Sequence, residues 1–339
     1  MGVYSNRINV VAIAKGLQTM ELTITNTQNV SVPSGLQVMA TVPLTFKNYT
    51  IDFDKIGFYY NGNPVYSWVE SVSGGNMTVW LKMPVSIPAN SSIKINAIPY
   101  AKTVLDGNYW GCAPQLTSTY GQYDNGASVF NNYWNFAGTT LPNGWQTIAS
   151  GYSINNGLIF SAVSNANQGI GTTFAVATPG LLEIYATGNY GRIGLELSTS
   201  NTTFFDGERT WYENGYGMIY GGYVSPPDGF FARNLGSSQM ILVNFESSTP
   251  MPQVFGVGWV STGNEREYTY QNPLSPITIL NSDNAVAIAN NLYIYVGQGE
   301  SGSTQQGGNW TVYWLRTRAY PPNGVMPTVS VSSIPVSVY

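Results

Sequence analysis

The chain has 339 residues, of which 9% are charged, 43% are apolar and none is histidine. A disordered chain combines low hydrophobicity with high net charge, so this apolar share at a net charge of −4 excludes disorder. The same net charge, without a basic cluster, excludes nucleic-acid binding by phosphate neutralisation.

The start of the chain contains one apolar run, Ile8 to Ala14, which Lys15 closes. The run is short for a signal-peptide core, and no convincing cleavage site follows it. No segment reaches the roughly 18 apolar residues of a membrane span, so we expect no membrane insertion. We expect a protein that reaches the outside either after trimming or within an assembled particle.

Short strands with one buried face follow along the first half. Period-two alternation of apolar and polar residues, typical of a half-buried strand, occurs at 21–25 and 93–98. Asn61-Gly62 and Gly74-Gly75 each predict a tight turn between two strands. These segments predict an N-terminal β-sandwich domain over residues 1–122.

The strand rhythm is interrupted within residues 107–135, where we expect the domain boundary, and it resumes in the second half. An aromatic, Gly- and Asn-rich passage occupies 107–135, and short strands recur from 157 to 319. Regularly spaced strands with turn-rich connections favour a sandwich or jelly roll. We therefore predict an all-β fold with two β-sandwich or jelly-roll domains in tandem, the second over residues 123–325.

The C-terminal segment, residues 326–339, predicts a β tail. Its apolar residues alternate with other residues in two runs that are one residue out of phase, namely Val329 and Val331, then Ile334, Val336 and Val338. Such a segment either completes a sheet of its own chain or is donated to a neighbouring subunit. These five residues are therefore a candidate oligomerisation tail.

Two residue counts exclude most catalytic and metal sites. Without histidine there is no Ser-His-Asp or Cys-His catalyst and no His-ligated metal. Cys112 is the single cysteine, which excludes an intrachain disulfide and a Cys-rich metal site. Calcium is an alternative at Asp124-Asn125 or Asp283-Asn284, although neither lies in an Asp-rich loop with ligand spacing. We expect no cofactor and no metal.

Five segments of the second half share a pattern with known proteins. They are 123–127, 134–138, 141–145, 156–159 and 312–322. They resemble the strands that enter and close a concanavalin-A-like lectin/glucanase jelly roll, as found in surface proteins of thermophilic archaea and their viruses. The segments 64–69 and 79–84 resemble the uncharacterised β-domain that often precedes such jelly rolls. The resemblance implies that the second domain is concanavalin-A-like.

Aromatic residues, 14% of the chain, concentrate between residues 211 and 223. Tyr and Trp offer flat amphipathic faces on which sugars stack, while Asn and Asp bind sugar hydroxyls. A glycan site would use Trp211, Tyr216, Tyr220, Tyr223, Asp206 and Asn214. The alternative is that these rings pack inside a sandwich or between subunits.

A glycoside hydrolase is the enzymatic alternative, since some jelly rolls of the resembled family are glucanases. Hydrolysis needs two carboxylates about 5–9 Å apart, and residues two apart on a strand share a face. Two pairs have this spacing, Asp206 with Glu208 and Glu265 with Glu267. Neither lies in the longer acidic motif of the family's glucanases. Glu183 and Glu196 are single acids that we expect to face outward, and we predict no enzymatic activity.

These observations predict a non-enzymatic structural protein on the virion surface of a thermophilic archaeal virus. It would be a spike, turret, capsid-associated or tail-associated component that attaches to the host through a lectin-like domain. The expected partners are other copies of the chain, other virion or surface proteins and host-surface glycans. The main alternative is an adhesin or filament subunit on the archaeal cell surface, and a secreted glucanase-like enzyme is the third.

Overall fold

The computed structural model describes residues 19–46, 49–161, 168–177, 180–189, 193–199, 201–202 and 309–334, and the strands at 215–220, 230–233, 241–243, 253–260, 264–270, 278–283 and 291–298. The first strands are β1 (Thr19–Asn26), β2 (Gln37–Pro43), β3 (Thr45–Phe46), β4 (Tyr49–Thr50), β5 (Ile56–Tyr60), β6 (Asn63–Pro64), β7 (Ser67–Ser73), β8 (Asn76–Lys82), β9 (Ser91–Pro99) and β10 (Trp110–Cys112). A one-turn helix, α1 (Gly126–Val129), follows them.

The remaining strands are β11 (Asn132–Trp134), β12 (Trp145–Ala149), β13 (Ser153–Ile154), β14 (Leu158–Phe160), β15 (Gln168–Thr172), β16 (Val176–Ala177), β17 (Gly180–Asn189), β18 (Ile193–Ser198), β19 (Gly215–Tyr220), β20 (Phe230–Arg233), β21 (Ile241–Val243), β22 (Gln253–Val260), β23 (Asn264–Tyr270), β24 (Thr278–Asp283), β25 (Asn291–Gln298), β26 (Asn309–Ala319) and β27 (Thr328–Ile334). Short 3₁₀ turns lie at Phe53–Lys55, Pro114–Leu116 and Pro322–Gly324. The predicted all-β fold is confirmed.

The chain forms two compact units. The first unit consists of two segments, the residues up to Val129 and those from Pro321 onward. The second unit is Phe130–Tyr320. The sequence predicted a boundary within residues 107–135, drawn after residue 122, and set residues 326–339 apart as a tail. The structure instead assigns both the segment before Val129 and strand β27 to the first unit, because each is hydrogen-bonded to it.

The first unit contains two larger sheets. Strands β27, β1, β9, β5 and β6 form one, and β10, β7, β8 and β2 form the other, in these spatial orders. Side chains of β1 alternate between half-buried and buried, with Met20, Leu22 and Ile24 fully buried. This period-two burial confirms the predicted strand at residues 21–25.

Both glycine-containing turns lie between neighbouring antiparallel strands. Asn61 and Gly62 join β5 to β6 with φ of 47° and 78°, and Gly74 and Gly75 join β7 to β8 with φ of 57° and 75°. Two successive positive φ values are typical of the type I′ hairpin turn, which matches the twist of the strands. The two predicted turns are confirmed.

The segment before the second unit lies on the outer face of the sheet that contains β7 and β8. Trp68 and Trp80 are paired across these strands and are at most 1% exposed. The indole Nε1 of Trp68 donates to Oδ1 of Asp124 at 2.8 Å. Further along, the ammonium of Lys82 donates to the carbonyl of Ser128 at 2.9 Å. These bonds hold α1 and the residues before it in the first unit.

Strand β27 completes the first sheet of its own chain. Val329 and Val331 are half-buried, and in the antiparallel register they lie opposite Ile24 and Leu22 of β1. The next residue of the predicted tail, Ile334, ends the strand. Val336 and Val338 lie outside the described residues. Exchange of this strand between subunits stays a prediction.

The second unit is a sandwich of two sheets. One has the order β13, β14, β26, β17, β22, β23 and β24, with β11 also paired to β26. The other has the order β12, β15, β25, β18, β19, β20 and β21, with β16 also paired to β25. Both sheets contribute to one apolar core, for example Leu182 and Ile184 from β17 and Leu195 and Leu197 from β18. Among the described residues, no helix has the length and hydropathy needed to cross a membrane.

Candidate functional site

The predicted glycan residues lie in and around β19. Trp211, Tyr223, Asp206 and Asn214 lie outside the described residues. The register of β19 pairs Tyr216 with Leu197 and Tyr220 with Ile193, and both partners are buried in the core. The glycan hypothesis for this set stays a prediction.

The two predicted carboxylate pairs are placed only in part. Asp206 and Glu208 lie outside the described residues, whereas Glu265 and Glu267 lie on β23. The register sets Glu267 opposite Val257 of β22, which in turn lies opposite the buried core residue Leu182. The hydrolase alternative that rests on these two pairs stays a prediction.

Glu196 was expected to face outward, and it does point away from the core that contains its neighbours Leu195 and Leu197, but it is not exposed to solvent. The residue is 3% exposed and lies opposite Tyr295 of β25, which is 5% exposed. The ring of Tyr295 covers Gly169 and Gly297 so closely that a Cβ at either glycine would collide with it. Glu196 therefore lies on a covered, glycine-rich part of the sheet, where burial removes the carboxylate from solvent.

Glu183 was also expected to face outward, and it is completely buried. Its two carboxylate oxygens accept hydrogen bonds from Nε of Arg316 at 2.5 Å and from Nε of Arg318 at 2.7 Å. The guanidinium of Arg316 also lies 4.5 Å from the ring centroids of Phe130 and Trp314. Ion pairing and cation–π contacts compensate the burial of these charges, so the group is a structural centre of the second unit.

The candidate calcium residues of the first unit have structural roles. Oδ1 of Asp124 accepts from Nε1 of Trp68 at 2.8 Å and from the backbone N–H of Gly126 at 3.0 Å. The amide nitrogen of Asn125 donates to the carbonyl of Ser67 at 3.1 Å. Across the described part of the chain, no group of three or more acidic or cysteine side chains is arranged to hold a metal ion.

Three aromatic side chains of the first unit form a group that no sequence pattern predicts. Tyr59 and Tyr100 share a hydrogen bond between their hydroxyls at 2.6 Å, and the ring of Trp110 lies 5.3 Å from that of Tyr59. All three are half-buried. We call them the aromatic cluster. They come from three separate strand ends, so no spacing in the sequence links them.

The aromatic cluster lies on the outer face of the five-stranded sheet. Phe58 of β5 points into the core and is 1% exposed, so its neighbour Tyr59 points away from the core. The register sets Tyr59 beside Asn96 of β9 and Asn96 beside Glu21 of β1. This half-exposed group of rings therefore lies next to polar residues on the surface of the sheet.

The chain is similar to a protein of an archaeal virus. No known family profile matches the chain. It is 28% identical over 345 residues to "Uncharacterized protein 562" of Sulfolobus islandicus rod-shaped virus 1, and the alignment covers 91% of this chain. The chain spans 58% of the length of that relative.

Solved β-structures show a weaker likeness. The endo-β-1,3-glucanase of Pyrococcus furiosus matches with a TM-score of 0.42 and 12% identity, covering 56% of this chain and 94% of the glucanase. The pseudo-β-1,3-glucanase Rv0315 of Mycobacterium tuberculosis gives 0.41 and 10%, covering 56% and 98%. The carbohydrate recognition domain of Emp47p gives 0.39 and 10%, covering 55% and 92%.

Proposed function

We propose that the chain is a non-enzymatic structural protein on the exterior of an archaeal virus particle, with host attachment through glycans as its role. The observation that carries the proposal is the sequence similarity to a protein of a Sulfolobus virus across 91% of the chain. A relative that matches over nearly the whole chain supports a shared viral setting for both units.

The composition supports a position on the exterior. Only 9% of the residues are charged, while aromatic residues make up 14%. Tyr and Trp are enriched where proteins contact one another, and charged residues are depleted there. A weakly charged, aromatic chain folded into two β-units is suited to extensive contacts with further copies and with other virion proteins.

The buried acids of the described residues support a non-enzymatic role. Glu183 holds Arg316 and Arg318, and Glu70 accepts a hydrogen bond from Nε1 of Trp80 at 2.7 Å. A catalytic acid must reach its substrate, whereas these carboxylates are at most 3% exposed. Their contacts are those of groups that stabilise packing.

Mass spectrometry of purified particles tests the proposal. Particles of the virus that encodes this chain are banded by density, and their proteins are identified before and after protease treatment of intact particles. The proposal predicts that the chain co-purifies with particles at many copies and is cleaved while they are intact. Its absence from particles, or hydrolysis of a polysaccharide that stops when one carboxylate is changed, would contradict it.

A further inference from the structure

The three rings of the aromatic cluster lie close to the backbone of Gly57. A Cβ added at Gly57 would lie 3.2 Å from a ring atom of each of Tyr59, Tyr100 and Trp110. This distance is tighter than ordinary van der Waals contact, so glycine is what allows the rings to approach the sheet. Because one side of the cluster lies against the sheet, the half-exposed surface of the rings is the side that faces away from it.

The two tyrosine hydroxyls form a polar edge on this ring surface. Their oxygens lie 2.6 Å apart, and either hydroxyl can be the donor. In such a pair one hydroxyl donates to the other, which keeps its own hydrogen, and both oxygens retain acceptor capacity. Burial, followed by this hydrogen bond, raises the pKa of Tyr59, so the hydroxyl of Tyr59 keeps its proton at neutral pH. The pair can therefore both donate to and accept from a ligand hydroxyl.

Asp106 fixes the loop that carries Trp110. Its Oδ1 accepts from the backbone N–H of Asn108 at 2.8 Å and from that of Trp110 at 3.0 Å. The indole Nε1 of Trp110 donates to the carbonyl of Phe58 at 3.4 Å. These bonds hold the indole before any ligand arrives, which lowers the ordering cost of binding. Asp106 itself is exposed beside the cluster.

The surroundings of the rings are polar. In the register of the sheet, the row that starts at Tyr59 continues through Asn96 and Glu21 to Ser332. Glu21 forms an ion pair with Lys94, whose side chain is 64% exposed. The centre of a protein interface is instead apolar and depleted of charge. Rings bordered by amide, hydroxyl and carboxylate groups match a ligand with an apolar face and a rim of hydroxyls.

We propose that the aromatic cluster, with Asp106 and Asn96 at its border, is a binding site for neutral hexose units of a glycan. The rings of Trp110 and Tyr59 stack against the C–H face of a sugar. The hydroxyl pair, the carboxylate of Asp106 and the amide of Asn96 bind its hydroxyls. This assigns carbohydrate recognition to the first unit, whereas the sequence placed it in the second. Sugar binding at this site is independent of the proposed function, and only a role of the site in host attachment rests on it.

Binding of neutral oligosaccharides to the purified full-length chain tests the site without any virus particle. The probes are cellohexaose, laminarihexaose, maltohexaose and mannohexaose, measured by calorimetry and by saturation-transfer NMR. At least one is expected to bind, and Trp110→Ala is expected to weaken that binding about tenfold. Tyr59→Phe and Tyr100→Phe keep the rings and are each expected to weaken it about threefold. Absence of binding to all four probes, or equal binding by Trp110→Ala and the unchanged chain, overturns the proposal.

Two further variants separate the site from general packing. Tyr60 is a half-buried tyrosine next to Tyr59 that belongs to the opposite side of β5, so Tyr60→Ala is expected to bind like the unchanged chain. Gly57→Ala keeps all three rings but displaces them from the sheet, and it is expected to weaken binding.

Melting curves identify any variant that fails to fold, in which case the Phe variants decide. If Trp110→Ala alters self-association in sedimentation and leaves sugar binding intact, the cluster is a protein interface and the proposal fails.

Discussion

Glu183 and Arg318 form a fully buried ion pair, in which Oε1 of the carboxylate lies 2.7 Å from both Nε and Nη2 of the guanidinium. The side chains are 0% and 1% exposed. The second carboxylate oxygen accepts a hydrogen bond from Arg316, which lies on the same strand as Arg318. One acid on β17 therefore pairs with two arginines on β26. The central strands of this sheet are thus joined by charge as well as by backbone hydrogen bonds.

Glu183→Gln is expected to destabilise the second unit by about 3–5 kcal/mol, because it removes the buried carboxylate that accepts hydrogen bonds from both guanidinium groups. Chemical denaturation measures the change. The matched control is Glu21→Gln, which removes an ion pair with the largely exposed Lys94 and is expected to cost less than about 1 kcal/mol. Equal effects of the two substitutions would show that the buried pair contributes no more than a surface one.

Asp124→Ala is expected to loosen the segment before the second unit. The substitution removes the acceptor for the indole of Trp68 and for the backbone of Gly126, at a cost of about 1–3 kcal/mol. Limited chymotrypsin digestion is expected to cut faster at Tyr120 and Tyr123. Asp52→Ala, which breaks only an exposed pair with Lys55, is the control and is expected to leave the cleavage rate unchanged. Unchanged cleavage in both variants would contradict the assignment of this segment to the first unit.

We expect the buried thiol of Cys112 to lower the free energy of unfolding at alkaline pH. Burial raises the pKa of its thiol to about 12, from its usual value of 9.0. The folded state therefore holds this proton more tightly than the unfolded state. The resulting stabilisation is complete below pH 9 and is lost as the pH rises towards 12. Unfolding free energies at pH 8 and 11 are expected to fall more steeply for the unchanged chain than for Cys112→Ala. Parallel slopes would contradict the effect of burial.

Because β27 pairs with β1, we expect that a disulfide can be introduced between these two strands of the same chain. Thr23 of β1 and Ser330 of β27 are directly opposite in the antiparallel register. The double variant Thr23→Cys/Ser330→Cys is expected to form a disulfide within one chain, since the buried Cys112 stays unreactive. Non-reducing electrophoresis should show a monomer of altered mobility, with either single variant as the control. A disulfide-linked dimer of the double variant would instead demonstrate exchange of the strand between subunits.

Strands and turns of the first unit were predictable because their signals are local. The alternation in β1 and the glycine turn at Gly74-Gly75 depend only on neighbours in sequence. The boundary was predicted within residues 107–135 because the strand rhythm stops there. What keeps the following segment in the first unit is a set of side-chain bonds, such as that between Asp124 and Trp68, which no local pattern reveals.

The sites depend on register and were therefore not predictable. Glu183 has the sequence pattern of an outward-facing acid, and its burial follows only from the alignment of β17 with β26, which sets Glu183 opposite Arg316. In the same way, Tyr59 and Trp110 come together because β5 and β10 end near each other. The pattern of a single sequence predicts which residues of a strand share a face, but it does not predict which strands lie beside each other.

Electron microscopy of native particles labelled with antibodies against this chain tests the central claim most directly. Gold particles on the outer surface of intact virions, and their absence when the antibody is first adsorbed with the purified chain, are the predicted result. Particles that stay unlabelled, with the chain detected only inside infected cells or free in the medium, would contradict a structural role on the virion exterior.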